Sequence, residues 1–393
     1  MNLTVRFFAT AIFYFLVASA LGLALLLGVQ YPYPAHTHLA LLGWVSLTIM
    51  GGMHQIVPTL TGRELPSKTL AEGQFYLMNL GLLALFLAFL LGDWTLLPFA
   101  AGIVLLASLL FLYLVFGTIG SWERLTLSLK FFSAALLYYL AAVAFGLLMA
   151  LGIWWGARPI SIHAHLAGAG FISLTIVGAM YQMVPMLALK ELRGEGLGRS
   201  VFYLLNAGVL GIMAGFWTGA YGYVALAGVV FAIGALIFAG SMLATIGPTL
   251  HGWRGLDISV KYFVASVLYL LAAVTLGLLM ALGVVPLALK SAHAHVALLG
   301  WVSITIVGAM YHILPMLVWV ERYGPKLGLE EVPTMKELYG PRSAEVQFWV
   351  FNLGVIALGA GILLRYAALT AAGGGIFLLG AILFAYVMYR MIF

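Results

Sequence analysis

The chain has 393 residues, of which 64% are hydrophobic and only 8% charged, and its mean hydropathy is +1.12. A soluble domain could not hide that much apolar surface, so the composition places the chain in a membrane. The formal net charge of +6 sits in loops and is no nucleic-acid signal, and the absence of cysteine excludes disulfides, thiolate metal sites and cysteine catalysis.

A spanning helix needs about 20 apolar residues. Twelve stretches qualify: 3–29, 36–60, 73–92, 95–119, 127–153, 163–188, 201–219, 222–247, 259–285, 293–319, 345–364 and 367–391. The expected fold is an all-α polytopic membrane protein. The first stretch imitates a signal peptide, with Arg6 before the apolar run and Ala18-Ser19-Ala20 as a small-x-small site. Its residues Phe8, Tyr14 and Gly22 recur as Phe132, Tyr138 and Gly146, and as Phe263, Tyr269 and Gly277, so the segment reads as a retained first helix.

The second stretch carries AHTHLALLGWVSLTIMGGMHQIVP from Ala35. It returns in the sixth as IHAHLAGAGFISLTIVGAMYQMVP from Ile162, and in the tenth as AHAHVALLGWVSITIVGAMYHILP from Ala292. The third, seventh and eleventh repeat FYLMN, FYLLN and FWVFN, ending at Asn79, Asn206 and Asn352. The chain therefore reads as three tandem four-helix units, 1–124, 125–255 and 256–393. A 16-residue insertion falls in the last, between Glu321 and Arg342. Four spans return the chain to its starting side, so the units are parallel. Pseudo-threefold symmetry is expected, with the second, sixth and tenth helices at the centre.

Fifteen of the eighteen Lys and Arg residues fall on the side of the termini; Arg158, Lys290 and Arg365 fall on the other. The positive-inside rule then puts both termini in the cytoplasm of a bacterial or archaeal cell, with the bilayer as the chain's main partner. The outer ends of the second, sixth and tenth helices carry the pairs His36/His38, His163/His165 and His293/His295. Imidazole is costly in lipid, and six of nine histidines at one repeated register ask for a common partner.

Residues i and i+2 of a helix point about 200° apart. One His-x-His cannot chelate an ion from a single helix, but it can present one imidazole to each of two neighbouring gaps. Three such helices in a ring give every gap one His from each flank. Two imidazoles facing across a flat gap are the axial ligands of a bis-histidine b-type haem. Arg158 and Lys290 precede His163 and His293 and can pair with haem propionates or serve as ordinary interfacial residues. The first unit has QYPYPA there, with no cation. Two or three haems per chain are expected.

The third copy resembles the tenth helix of the haem-copper oxidase catalytic subunit, especially the cbb3 type. There an H-x-H pair ligates the low-spin and high-spin haems, followed by the same Gly-Trp-Val and terminal Pro. The topology of twelve helices resembles that subunit throughout; the motif likeness is confined to helices two, six and ten. The resemblance implies haem ligation by His293 and His295, with His36 or His38 as the second-helix ligand. The oxidases hold copper with a sixth-helix His and a His-His pair in helix seven. Here SVFYLLNAGVLGIMAGFWTGA has no His, so neither copper nor oxygen reduction is expected. A second resemblance is to the twelve-helix NnrS-type family linked to nitric oxide response, whose H-x-H-E-M sequence is missing here.

These features point to electron transfer, from quinol or to a periplasmic carrier, with homo-oligomerisation left open. Two other functions stay open: binding nitric oxide or another diatomic gas, and transport of haem or a metal. An interhelical hydrogen-bonded seam and a transition-metal or proton pathway are the lesser readings of the histidines, behind haem. Tyr14, Tyr138 and Tyr269 fit aromatic packing, and Asn79, Asn206 and Asn352 fit helix locking. The Ser46/Thr48, Ser173/Thr175 and Ser303/Thr305 pairs fit bonds to their own helices. His54 and His312 do not repeat and suit interfacial or hydrogen-bonding roles, while His251 suits a solvated loop.

Overall fold

The computed structural model describes residues 2–121, 125–248 and 252–393, and the backbone but not the side chain of Glu195. Arg124 and His251, read above as loop residues, lie outside the described residues. Among the described residues, twelve helices are long and apolar enough to cross a membrane. They are α1 (Leu3–Leu26), α2 (Tyr33–Thr61), α3 (Lys68–Leu91), α4 (Leu97–Ile119), α5 (Leu127–Ala150), α6 (Ala157–Ala188), α7 (Gly196–Thr218), α8 (Tyr221–Ile246), α9 (Ile258–Ala281), α10 (Leu287–Arg322), α11 (Pro341–Leu363) and α12 (Ala367–Ile392). Only helices satisfy every backbone group inside one segment, which is what hydrocarbon demands.

Helix starts follow local capping. Asn2, Thr126 and Asp257 occupy matching positions before α1, α5 and α9. Their side chains accept from Thr4, Leu129 and Ser259 N–H at 3.0, 3.3 and 3.0 Å. Ser67 accepts from Leu70 N–H at 3.2 Å, so α3 begins at Lys68, five residues ahead of the expected 73. The apolar run marks where lipid begins; the cap marks where the helix begins.

The centre is built from α2, α6 and α10. In these, 72%, 67% and 67% of the most apolar stretch is buried inside the protein, against 50% or less in every other span. The three are mutual neighbours. Trp44 of α2 donates from Nε1 to Ser303 Oγ of α10 at 3.1 Å, and Trp301 of α10 donates to Ser173 Oγ of α6 at 3.1 Å. Phe171 takes the tryptophan's place in α6 and packs 4.4 Å from the Tyr139 ring. Each central helix also widens into a π-helix just past its second histidine, at Leu39–Ser46, Leu166–Ser173 and Val296–Ser303. There the serine hydroxyls donate five residues back, to Leu41, Gly168 and Leu298 carbonyls at 2.8–2.9 Å.

Around this centre one recurring bond ties outer helices to each other, α1 to α3, α5 to α7 and α9 to α11. Tyr14, Tyr138 and Tyr269 donate to Asn79, Asn206 and Asn352 Oδ1 at 2.9, 3.1 and 3.0 Å. Each asparagine in turn donates Nδ2 to a carbonyl four residues back, at Phe75, Phe202 and Phe348. Gly43, Gly170 and Gly300 make room for the tyrosine rings, because a Cβ there would lie 2.8, 2.7 and 2.5 Å from them. The tyrosines thus do more than pack.

The insertion before α11 is pinned to α10 and to the start of α9. Trp319 Nε1 donates to Pro333 O at 2.6 Å, Tyr339 packs 5.2 Å from Tyr311, and Lys336 reaches Asp257 at 3.2 Å.

Candidate functional site

Each His-x-His opens a central helix at the face away from the termini. The first histidine of each pair turns toward the preceding helix. His36, His163 and His293 donate from Nδ1 to the carbonyls of Ala18 in α1, Ala142 in α5 and Ala273 in α9, all at 2.9 Å. The second turns the other way. His38, His165 and His295 donate from Nδ1 to the carbonyls of Pro34, Ser161 and Ser291, four residues back, at 2.9, 2.8 and 2.8 Å. A carbonyl only accepts, so the proton of each neutral ring sits on Nδ1 and the Nε2 lone pair is left free. Anchoring one ring nitrogen on a backbone carbonyl is how proteins orient a metal-ligating imidazole.

Glycine makes the first contact possible. Gly22, Gly146 and Gly277 lie four residues after the accepting carbonyls. A Cβ on them would stand 2.8, 3.1 and 2.8 Å from Cε1 of His36, His163 and His293. The rings rest on bare helix backbone.

The rings meet across the helices. His38 faces His163, with centroids 6.1 Å apart and planes 27° from parallel. His165 faces His293 at 6.4 Å and 20°. His295 lies within electrostatic reach of His36. In each case the second histidine of one central helix meets the first of another. Two imidazoles sharing one metal ion through bonds of about 2.0 Å would hold their centroids about 6 Å apart. Among the described residues, no cluster of three or more His, Asp or Glu side chains gathers to hold an ion.

These donors fit haem iron: neutral imidazoles in facing pairs, with small Ala40, Ala167 and Ala297 two residues past the second histidine. All six histidines are half-buried. Aromatic walls adjoin two of them, Phe89 at 4.7 Å from His38 and Phe216 at 5.0 Å from His165. The matching position in α11 is Ile362.

The cations near the site are uneven. Arg158 and Lys290 are exposed. The Arg158 guanidinium lies against Gly219, the residue capping the C-terminus of α7, 2.6 Å from where a Cβ would stand. That position suits a cation facing a helix C-terminus. The first unit has Tyr31 at the matching place, its hydroxyl donating to the Leu21 carbonyl. Burial pushes the pKa of that hydroxyl up to about 12, and a neutral phenol stands where the second unit presents a charge.

Two other expectations resolve differently. Thr48 and Thr305 donate to Trp44 and Trp301 carbonyls, but the Thr175 hydroxyl is buried with no partner. His54 is buried between Phe7 and Phe111, and neither ring nitrogen has a hydrogen-bond partner. Tyr181 and Tyr311, its counterparts in α6 and α10, likewise bury unpartnered hydroxyls. The aromatic sandwich, not a hydrogen bond, positions His54. His312 is half-buried.

No protein-family model matches the chain. It is 26% identical over 314 residues to an uncharacterized protein of Aquifex aeolicus (strain VF5), a match covering 75% of this chain and 76% of that one. Among solved structures it is similar to a heme-copper terminal oxidase dimer determined by cryo-EM. That match has 15% identity and a TM-score of 0.77, and covers all of this chain and 84% of the other. At that identity the likeness is one of fold. The chain is an integral membrane protein with the helical architecture of a haem-copper terminal oxidase.

Proposed function

We propose that this chain is a b-type haem protein with two or three haems held between α2, α6 and α10. Its axial ligand pairs are His38/His163, His165/His293 and His295/His36. The observation that carries the reading is the shared anchoring of all six Nδ1 atoms on backbone carbonyls, which leaves six Nε2 lone pairs free at one repeated register. The 6.1 and 6.4 Å ring separations support it. Haem bound there supplies one-electron chemistry, and the shared register favours lateral electron transfer within the membrane plane.

The protein's own contribution is orientation. The α1, α5 and α9 carbonyls fix three rings, and one turn of the ligand's own helix fixes the other three. Arg158 and Lys290 stand ready for propionates. Copper is not a cofactor in this reading, because α7 has no histidine where the resembled oxidases hold their copper with a His-His pair. Quinol or a periplasmic carrier is the redox partner in this reading. Three parallel four-span units, 1–124, 125–255 and 256–393, surround the site about a pseudo-threefold axis. The positive-inside count puts the site at the periplasmic face of a cytoplasmic membrane.

A pyridine haemochrome assay on detergent-purified protein tests the reading. Two or three b-type haems per chain are expected, with one fewer in His295→Ala. Protein made under ample haem supply yet carrying none would overturn it. A carbon monoxide shift in the reduced wild type would instead mark a haem with one open face, as gas binding requires.

A further inference from the structure

At the face that carries the termini, one position pair breaks the repeat. Two residues before Phe8, Phe132 and Phe263 stand Arg6, Lys130 and Lys261. Seven residues before Asn79, Asn206 and Asn352 stand Glu72, Arg199 and Glu345. In the first and third units these positions form ion pairs: Arg6 to Glu72 at 2.6 Å and Lys261 to Glu345 at 2.8 Å. In the second unit both are cations.

The scaffold beneath is the same in all three. Phe7 meets Phe75 edge-on at 4.9 Å, Phe131 meets Phe202 at 5.2 Å, and Tyr262 meets Phe348 at 5.0 Å. Lys130 immediately precedes Phe131, and Arg199 lies three residues before Phe202. Gly198 packs directly on Leu127, so α5 and α7 touch beside both cations. Lys130 and Arg199 are exposed, and among the described residues neither is paired with a carboxylate. Like charges held where their counterparts form a contact pair repel unless an anion lies between them.

We propose that Lys130 and Arg199 together bind the phosphate of an anionic phospholipid. Lipid is favoured over a free anion by what continues from Arg199. Tyr203, Leu210 and Trp217 follow it at 4, 11 and 18 residues, on one helical stripe, and are 69%, 59% and 57% exposed. This apolar, aromatic stripe faces hydrocarbon. Arg199 and Trp217 stand about 27 Å apart along α7, close to the hydrocarbon thickness of a bilayer. Arg199 therefore sits at headgroup depth on one side while Trp217 anchors the other. Acyl chains would run down the stripe below the phosphate.

Native mass spectrometry of the detergent-purified full chain, titrated with phosphatidylglycerol or phosphatidylcholine, tests this. Wild type should hold one phosphatidylglycerol more tightly than any phosphatidylcholine. Arg199→Glu rebuilds the ion pair of the other units and should keep the melting point, while weakening that site about tenfold. Lys130→Gln should weaken it less, in the same direction. Unchanged phosphatidylglycerol binding in both variants would overturn the proposal. Displacement of the lipid by an equal concentration of inorganic phosphate would also overturn it, since the acyl chains would then contribute nothing.

Discussion

His38 and His163 come from different central helices, yet their rings stand 6.1 Å apart with planes 27° from parallel. Each is held from behind by a carbonyl, Pro34 for one and Ala142 for the other. A pair fixed this way has its free nitrogens committed before any ligand arrives, so removing one member should affect one gap only. His163→Ala is expected to lower haem content by one per chain, or to convert one haem to a carbon monoxide-reactive form, leaving the rest six-coordinate. Loss of all haem at an unchanged melting point would mean the gaps do not act separately.

Gly277 touches the same machinery from the other side. A methyl there would stand 2.8 Å from Cε1 of His293 and would push the ring off its Ala273 anchor. Gly277→Ala should therefore shift the reduction potential or the α-band of one haem, or lose that haem. Overpacking should cost about 1–3 kcal/mol of stability. Gly52→Ala is the control: nothing lies within 4 Å, so it should leave the spectrum alone and raise stability by up to about 1 kcal/mol. Identical spectra for the two variants would remove the glycine from any role in ligand placement.

Tyr138 donates to Asn206 at 3.1 Å, and the same bond ties α1 to α3 and α9 to α11. Tyr138→Phe should cost about 0.6–1.7 kcal/mol, the span from the average to the maximum for an interhelical hydrogen bond in a membrane protein. Haem content should not change, because the hydroxyl serves the scaffold. A variant that melts normally but loses haem would assign the tyrosine to the cofactor instead.

Twelve spans could be read from the sequence because lipid imposes one constraint on every residue of a span at once. Histidine positions could be read because they repeat. The anchors of those histidines could not: Ala18, Ala142 and Ala273 contribute only backbone carbonyls, which leave no mark in a side-chain pattern. Which imidazole faces which was legible only up to the order of neighbours around the centre, since a 200° offset says there are two gaps and not whose they are. The bond from Trp44 to Ser303 joins residues 259 apart in sequence. Its partner at Phe171 is missing, so even the repeat signals it only in part. His54 was read by its chemistry, but burial between Phe7 and Phe111 governs it, and burial is a property of the packed bundle.

The two ion pairs at the terminus-bearing face should differ in weight. Lys261 and Glu345 have side chains 7% and 38% exposed, and Lys261 also lies 5.8 Å from the Trp253 ring. Removing the carboxylate strands a buried ammonium, so Glu345→Gln should cost about 2 kcal/mol, below the full buried-pair figure because Glu345 keeps some solvent. Arg6 and Glu72 are 26% and 51% exposed, and water can take over from the missing partner. Glu72→Gln should cost about 0.5 kcal/mol. Thermal unfolding in one detergent, followed by the loss of tryptophan packing, ranks them: a larger drop for Glu345→Gln is expected. Equal drops would mean that the burial of Lys261 does not set the strength of its pair.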